Sequence, residues 1–546
     1  PRTDLTKRVI ASATVEYDIA KGLKFQTRTS IDYAVKTNEQ QHAAGSNATN
    51  VSPNGRWYYR KYDDQLLYVD GIFTYNKRFG NISFDGLLGA SWQKSVYGLG
   101  VSVDNGTNAL FYPNEFNFQN LPLNVQVLST LASRAVKQGA FANLQLGFKD
   151  MVFLDLSGRN DWSSTLAGTG NESYFYPSIG LSAILNQMLP LPDLITFSKV
   201  RASYTTVANE VPFNRINPMH TVTASGGVSR NTVAPFPDAK PEMLRSLEIG
   251  TEWRFFEGRF GFDFTYYNIN SQDQFISLPA LAGSGYTTYY VNAGEIINKG
   301  VELTLDAEPV STSDFRWNTT FNFARNKNIV SELWPDDTGK RVDLGSSEGY
   351  FNYIVAGGSF GDLYGYKFLR NDAGQVILDA KGAPRKTALP ELIGSLDPDF
   401  TLGWNNNFSY KRFSLGFLIN GIFGGNCVSQ TESMLDGAGV SKRSGDDRDR
   451  GYTVIDAVSE EGGAVTQIDP EKWYRAIGDR NGILEAYVYD RTNIRLTQLA
   501  LSYDINVRAL NLPIKAAAVS IVGQNLFFLY NKAPYDPELT MSTGLG

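Results

Sequence analysis

A chain of 546 residues with 50 Lys+Arg against 56 Asp+Glu carries a formal charge of -6, which excludes the basic footprint of a nucleic-acid binder. Its 29 Tyr and 33 Phe against 6 Met, with 51 Gly, are strand chemistry, because each Gly costs roughly 1 kcal/mol in a helix interior. Mean hydropathy is -0.25 and no apolar run approaches the roughly 20 residues of a spanning helix; that excludes a helical membrane protein but not a barrel, in which only alternate residues meet lipid.

Period-two alternation recurs along almost the whole chain. A first strand is expected near Arg8 to Tyr17, and a second follows the turn Asp18–Gly22. In that second strand Leu23, Phe25, Thr27, Thr29, Ile31, Tyr33 and Val35 interleave with Lys24, Gln26, Arg28, Ser30, Asp32, Ala34 and Lys36. The pattern returns as Phe260, Phe262, Phe264 and Tyr266 against Gly261, Asp263 and Thr265, and as Phe315, Trp317, Phe321 and Phe323 against Arg316, Asn318 and Asn322. It returns again as Phe413, Leu415, Phe417 and Ile419 against Ser414, Gly416 and Asn420, with a final strand near Lys515 to Tyr530. Many segments hold the pattern for about ten residues, beyond an ordinary strand and close to the roughly 9 to 11 of a tilted transmembrane strand.

Connections alternate in length. Tight turns are expected at Asp18–Gly22, Asn76–Gly80, Lys149-Asp150, Glu257–Arg259, Ser311–Asp314 and Lys411-Arg412, and long polar stretches at 37–62, 99–133, 208–240, 271–288 and 425–484. Short turns at one end and large loops at the other belong to outer-membrane barrels. The segments number roughly sixteen, with Tyr364-Gly365-Tyr366 read as part of a long excursion. If the short turns are periplasmic, parity asks for an odd number of strands before Pro1 and after Gly546, and about five plus one would give the roughly 22 strands of a plugged transporter.

Several motifs carry a resemblance. Ser157-Gly158-Arg159-Asn160-Asp161-Trp162-Ser163-Ser164 is followed by Tyr174-Phe175-Tyr176-Pro177-Ser178, by Asn292-Ala293-Gly294-Glu295-Ile296-Ile297-Asn298-Lys299-Gly300-Val301-Glu302, and by Asp397-Pro398-Asp399-Phe400. Asn493-Ile494-Arg495-Leu496, Gly523-Gln524-Asn525-Leu526 and Asp536-Pro537-Glu538 complete the series. In this order they resemble the barrel motifs of SusC-like TonB-dependent outer-membrane transporters. One departure is Tyr204-Thr205-Thr206-Val207-Ala208-Asn209, where the family usually carries a Gly-x-Thr-Gly-Asn strand end.

The resemblance implies an all-β fold, a large antiparallel transmembrane β-barrel of which residues 1–546 would be part of a single domain. The N-terminal plug domain, the TonB-contacting segment and the last strand would lie outside this chain. It further implies a protein of the outer membrane that imports oligosaccharides with a SusD-like surface lipoprotein and a TonB system. Peptide import is the alternative, and a passive porin or adhesion-type barrel without energy coupling is a second one. A soluble propeller would show a repeat of roughly 40 to 50 residues, and none is found.

No enzyme, metal or cofactor is expected: only His42 and His220 are present, in no metal or triad spacing. Asp446-Asp447-Arg448-Asp449-Arg450 reads as a solvated loop, since its arginines neutralise the carboxylates, and Asn371-Asp372-Ala373-Gly374 as a turn. The single Cys427 cannot form an internal disulfide and reads as a small loop residue. The candidate substrate contacts are the loop aromatics Trp57, Tyr58, Tyr59, Tyr289, Tyr290, Trp334, Trp473 and Tyr474, whose rings could stack on sugar faces or grip peptide side chains. The competing reading gives them to interfacial girdles or to loop-on-loop packing.

Overall fold

The structure, a computed structural model, describes residues 1–546 except 48, 126, 223–227, 282, 334–340, 348–349, 508–513 and 539–546. Sixteen long strands are found among the described residues. They are β1 (Arg2–Ala20), β2 (Leu23–His42), β3 (Arg56–Phe79), β4 (Ile82–Asp104), β5 (Ser133–Phe148), β6 (Val152–Ser163), β7 (Ser173–Ile184) and β8 (Ile195–Asn209). The series continues with β9 (Glu242–Phe255), β10 (Phe260–Gln272), β11 (Glu295–Ser311), β12 (Phe315–Glu332), β13 (Phe400–Tyr410), β14 (Phe413–Phe423), β15 (Asn493–Ile505) and β16 (Ala517–Asn531). With the short strand Leu128–Thr130 beside β4 they make up a 17-stranded sheet, so the count of roughly sixteen to seventeen is borne out. By compactness the chain divides into two units, residues 1–183, 203–245 and 271–292, and residues 184–202, 246–270 and 293–546.

In the first unit the register explains the alternation. Residues opposite one another in an antiparallel ladder share a face. One face therefore runs Arg28, Asp70, Ser91, Gly139, Asp161 and Tyr174 from β2 to β7, and the other runs Phe25, Phe73, Leu88, Ala142, Gly158 and Pro177. The polar face bonds to itself: Arg28 pairs with the buried Asp70 and Arg159 with Asp161. The apolar face is open, with Phe73 46%, Leu88 62% and Leu181 53% exposed. A greasy face left uncovered over so many strands is what contact with lipid requires.

The second unit repeats this. Arg316, Ser409, Ser414, Ser502 and Ser520 share one face of β12 to β16, and Trp317, Phe408, Leu415, Leu501 and Ile521 the other. Phe408 and Trp317 stack at 5.6 Å, and Phe413 lies 4.7 Å from Tyr503. Each of the six expected tight turns overlaps a short connection between consecutive long strands, although β3 runs on to Phe79 so that the second turn falls at Gly80-Asn81 rather than over Asn76–Gly80.

The long stretches differ from the expectation of irregular polar loops. β2 continues to His42 and β3 begins at Arg56, so the stretch 37–62 shrinks to 43–55, because the ladder pairs His42 with Arg56 without interruption. The stretch 425–484 holds three helices, α1 (Gln430–Gly437), α2 (Lys442–Arg450) and α3 (Pro470–Ile477), and the strands Thr453–Val458 and Ala464–Ile468. The Tyr364 segment is part of an excursion, as expected: Asp362–Gly365 joins a separate four-stranded sheet with Arg341–Ser347, Tyr350–Val355 and Glu391–Ser395.

Candidate functional site

The two excursions of the second unit, between β12 and β13 and between β14 and β15, share one hydrophobic core. Tyr350, Leu363, Phe368 and Leu378 from the first pack with Ala457, Ile468, Ile477, Leu484 and Tyr487 from the second. They form a small folded body at the ends of the strands opposite the short turns. Each helix carries a local start signal. Ser429 accepts from Glu432 N at 3.2 Å in a Ser-x-x-Glu sequence, Ser441 accepts from Ser444 N at 3.1 Å, and Asp469 accepts from Glu471 N at 2.8 Å with Pro470 next to it.

Asp436 at the end of α1 is fully buried. It accepts from Arg443, from Ser441 and, at 2.9 Å, from the Tyr487 hydroxyl. Burial works against the Arg443 charge, but Asp436 outweighs it and holds the guanidinium above its ordinary range. Burial and then Asp436 push the Tyr487 hydroxyl up as well, so it stays a donor. The acidic run is not a loop: Asp446 to Arg450 lie in α2, where Asp447 accepts from Thr453 and from the Tyr474 hydroxyl at 2.9 Å. Only Asp447 is taken up inside the body, while Asp446, Arg448, Asp449 and Arg450 are exposed on the helix, solvated as expected; among the described residues no group of three His, Cys, Asp or Glu is placed to hold a metal. Asn371 turns the chain as expected, its side-chain Oδ1 accepting from Ala373 N and Gln375 N. Cys427 is buried in the short strand Asn426–Val428 rather than in a loop, its thiol held up by burial.

A chain of polar side chains fixes this body to its strands. Asn298 of β11 accepts from Asn328 of β12 at 2.9 Å; Asn328 in turn accepts from Phe360 N at 2.8 Å, and the neighbouring Ser359 hydroxyl donates to Asp397.

Of the eight candidate aromatics, five belong to the first unit and two, Trp473 and Tyr474, to the second. In the first unit Trp57 is 3% exposed, donates from Nε1 to Glu39 at 2.8 Å and lies 5.0 Å from Phe118, which also meets Tyr59 at 5.5 Å. Tyr58, its half-buried neighbour, pairs with Gln40. Tyr289 and Tyr290 alternate along the strand Thr288–Asn292; Tyr290 stacks on Phe275 at 4.5 Å beneath Arg215, and Tyr289 is half-buried. In the second unit Trp473 stacks on Phe368 at 5.4 Å, and Tyr474 is 6% exposed. Trp334 lies outside the described residues. Trp57, which lies in β3 rather than in a loop, and Tyr474 of α3 are thus both covered by their neighbours. Phe118, Phe275, Phe368 and Asp436 escaped the sequence reading, although the Ser429-x-x-Glu432 capping pattern could have announced the helices that organise the second group.

Two clefts open on the body. One of about 710 Å³ lies among α1, α2 and α3; a second of about 600 Å³ lies toward Asp379 and Ser459. Both are lined by Gln467, Ile468 and Asp469.

Comparison with known proteins agrees with the fold. The family model "TonB dependent receptor-like, beta-barrel" matches residues 2–460. TonB-dependent receptor P3 of Formosa agariphila is 27% identical over 505 residues, covering 86% of this chain and 48% of its own length. SusC of Bacteroides thetaiotaomicron is 22% identical over 411 residues, 69% of this chain and 40% of that protein. The chain thus spans about half the length of the curated relatives it matches, or less. Among solved structures, the RagAB peptide transporter superposes with a TM-score of 0.76 at 18% identity, covering 98% of this chain and 60% of that one. No helix among the described residues is long and apolar enough to cross a membrane. The SusC-like resemblance carried by the motifs is borne out, and the chain belongs to the TonB dependent receptor-like β-barrel family of the outer membrane.

Proposed function

We propose that this chain supplies barrel strands of a TonB-dependent importer of oligosaccharides, working with a SusD-like surface lipoprotein. Residues 1–546 would be part of a single barrel domain, with the plug and the TonB-contacting segment elsewhere in the protein. The carrying observation is the register that keeps a self-paired polar ladder on one face and an open apolar belt on the other, in each unit, strand after strand. A polar wall gives a hydrated cargo a path, and the belt meets lipid. Among the described candidates the half-buried Tyr58, Tyr59, Tyr289, Tyr290 and Trp473 would be the rings that meet cargo.

Peptide import is the second reading. It is favoured by the fold likeness to the RagAB structure, whose title names a peptide transporter. Cells carrying or lacking the intact gene, fed fluorescent oligosaccharides or oligopeptides with and without a protonophore, test both. Gene-dependent, protonophore-sensitive uptake of oligosaccharide supports the first reading. Uptake of peptide alone selects the second, and uptake indifferent to the protonophore selects a passive pore.

A further inference from the structure

Beyond the last fully apolar row of β11 and β12 the outward face turns basic. On that face Leu305 stands opposite Phe321 and Leu303 opposite Phe323. The next pairs, away from the short turn, are Val301 with Arg325 and Lys299 with Lys327. Residues directly opposite share a face, so two lysines stand side by side and Arg325 lies on the diagonal from Lys299. All three cations are exposed, and among the described residues their side chains have no hydrogen bond, ion pair or ring contact.

Like charges directly opposite one another weaken a strand pair, and in a chain of net charge -6 carboxylates are not scarce. The described ones nearby are turned away or occupied. Glu302 and Glu332 fall on the polar face, where Asn298 accepts from Asn326 and Asn328, and Glu295 accepts from Asn270 and Ser331.

The height of the cluster says which anion it meets. Arg325 and Lys327 stand ten and twelve residues from Phe315, at the short-turn end of β12. At roughly 3.4 Å per residue and a tilt of roughly 35 to 45°, that is roughly 24 to 33 Å across the membrane. An apolar belt is about 25 Å tall, so the charges sit at its rim on the long-loop side, where the headgroups of the outer leaflet lie. Phosphate suits the set: the Arg325 fork can donate to two oxygens, and the lysines add point charges. Below them Leu303 and Phe323, whose ring lies 5.8 Å from that of Phe400, continue the apolar belt.

We propose that Lys299, Arg325 and Lys327 form a binding site for the phosphorylated headgroup of an outer-leaflet lipid, its acyl chains lying along the belt beside Leu303 and Phe323. The site faces away from the polar wall, so it holds a membrane lipid whatever the cargo. It rests on the lipid-facing assignment and not on the choice between sugar and peptide; failure of that assignment shows separately, as normal folding of Phe417→Arg.

The test is lysine footprinting of the intact protein, purified from outer membranes, stripped of lipid and placed in phosphatidylcholine nanodiscs with or without diphosphorylated lipid A. Acetylation of Lys299 and Lys327 by an amine-reactive ester, read by mass spectrometry, should fall at least fivefold with lipid A, while Lys411 in a short turn is unchanged. Lipid A stripped of its phosphates, and free inorganic phosphate, should protect neither lysine. Arg325→Gln, shown to fold by its heat-modifiable migration, should need at least threefold more lipid A for the same protection. Four results overturn the proposal: lysines that lipid A leaves as reactive as before, equal protection by the dephosphorylated lipid or by inorganic phosphate, equal protection of Lys411, or an Arg325→Gln response identical to that of the wild type.

Discussion

Arg495 of β15 is pinned to Asp536 beyond the end of β16: its Nη2 lies 2.5 Å from Oδ2, Glu538 stands 3.5 Å from Nη1, and the guanidinium sits 4.2 Å over the Phe528 ring. With its side chain only 8% exposed, Arg495 holds the segment 532–538 back against the strand. Both ends of this contact belong to motifs recognised as family-like in the sequence.

Replacing Arg495 by Gln should therefore release that segment at a cost of about 1 to 3 kcal/mol, between the worth of an exposed ion pair and that of a buried one, because Arg495 is buried and its two carboxylates are about a third exposed. Lys should recover only part of it, because a point charge cannot replace a planar fork. Hydrogen exchange of residues 532–538, with Asp536→Asn as the second arm of a double-mutant cycle, reads the effect; strictly additive losses would show that the pair is not coupled.

The two-faced strands make a sharper prediction from adjacent leucines. Leu88 shares its face with Phe73 and Ala142 and is 62% exposed, whereas Leu87 shares the opposite face with Thr74 and Asn143. Leu88→Arg should cost roughly 2 to 4 kcal/mol and abolish heat-modifiable migration, as should Phe417→Arg on the apolar face of β14. Leu87→Arg should fold. Equal behaviour of the two leucine variants would remove the lipid-facing assignment.

The strands were legible because period two follows directly from the pleat, and the six short turns because Gly, Asp, Asn and Lys punctuate it. The motifs were legible as likeness but not as physics. Gly300 has no room for a Cβ, which would stand 2.2 Å from Arg325 O and 2.6 Å from the Tyr267 hydroxyl, and Asn298 accepts from both Asn326 and Asn328, the second of which receives Phe360 N of the neighbouring excursion. Neither reason can be read without the neighbours. The body itself was illegible because its core draws on residues more than a hundred positions apart, such as Phe368 and Leu484, and its helices are only eight or nine residues long. Helices so short show too little periodicity to stand out in a polar stretch. Among the aromatics, Trp57 and Tyr474 were visible as rings, but which rings would be covered depended on partners such as Phe118 that lie far away in sequence.

Asp362 makes the folded body sensitive to pH. Burial raises its pKa from the ordinary 3.8, and nearby Asp397 adds to the effect, while the hydrogen bond from Ser359 N opposes it. A carboxyl raised in the folded state binds more protons folded than unfolded, so stability falls as pH rises from 3.8 through the folded value. Near-UV thermal scans should show the body melting higher in mildly acidic than in neutral buffer. Asp362→Asn, which keeps an acceptor for Ser359 N, should remove the difference; a wild-type body that gains stability toward neutral pH would contradict the assignment.

Asp436 is the residue on which the body's internal order depends most. Its carboxylate is fully buried and receives Arg443, Ser441 and Tyr487 together, so Asp436→Ala strands a buried phenol and a half-buried guanidinium. Removing one partner of a buried charged pair costs about 3 to 5 kcal/mol, and the exposure of Arg443 brings the expected loss to the lower end. Because the core of the body is formed by the two excursions and not by the strands, the damage should stay local. Limited proteolysis should cut within 341–397 and 425–492 while heat-modifiable migration of the whole protein is kept. The variant Asp436→Asn separates charge from shape: it can still accept from Tyr487 but no longer pairs with Arg443, so it should fall between Ala and the wild type. If Asp436→Ala instead unfolds the whole protein, the excursions and the strands are one cooperative unit, and the body is no independent platform.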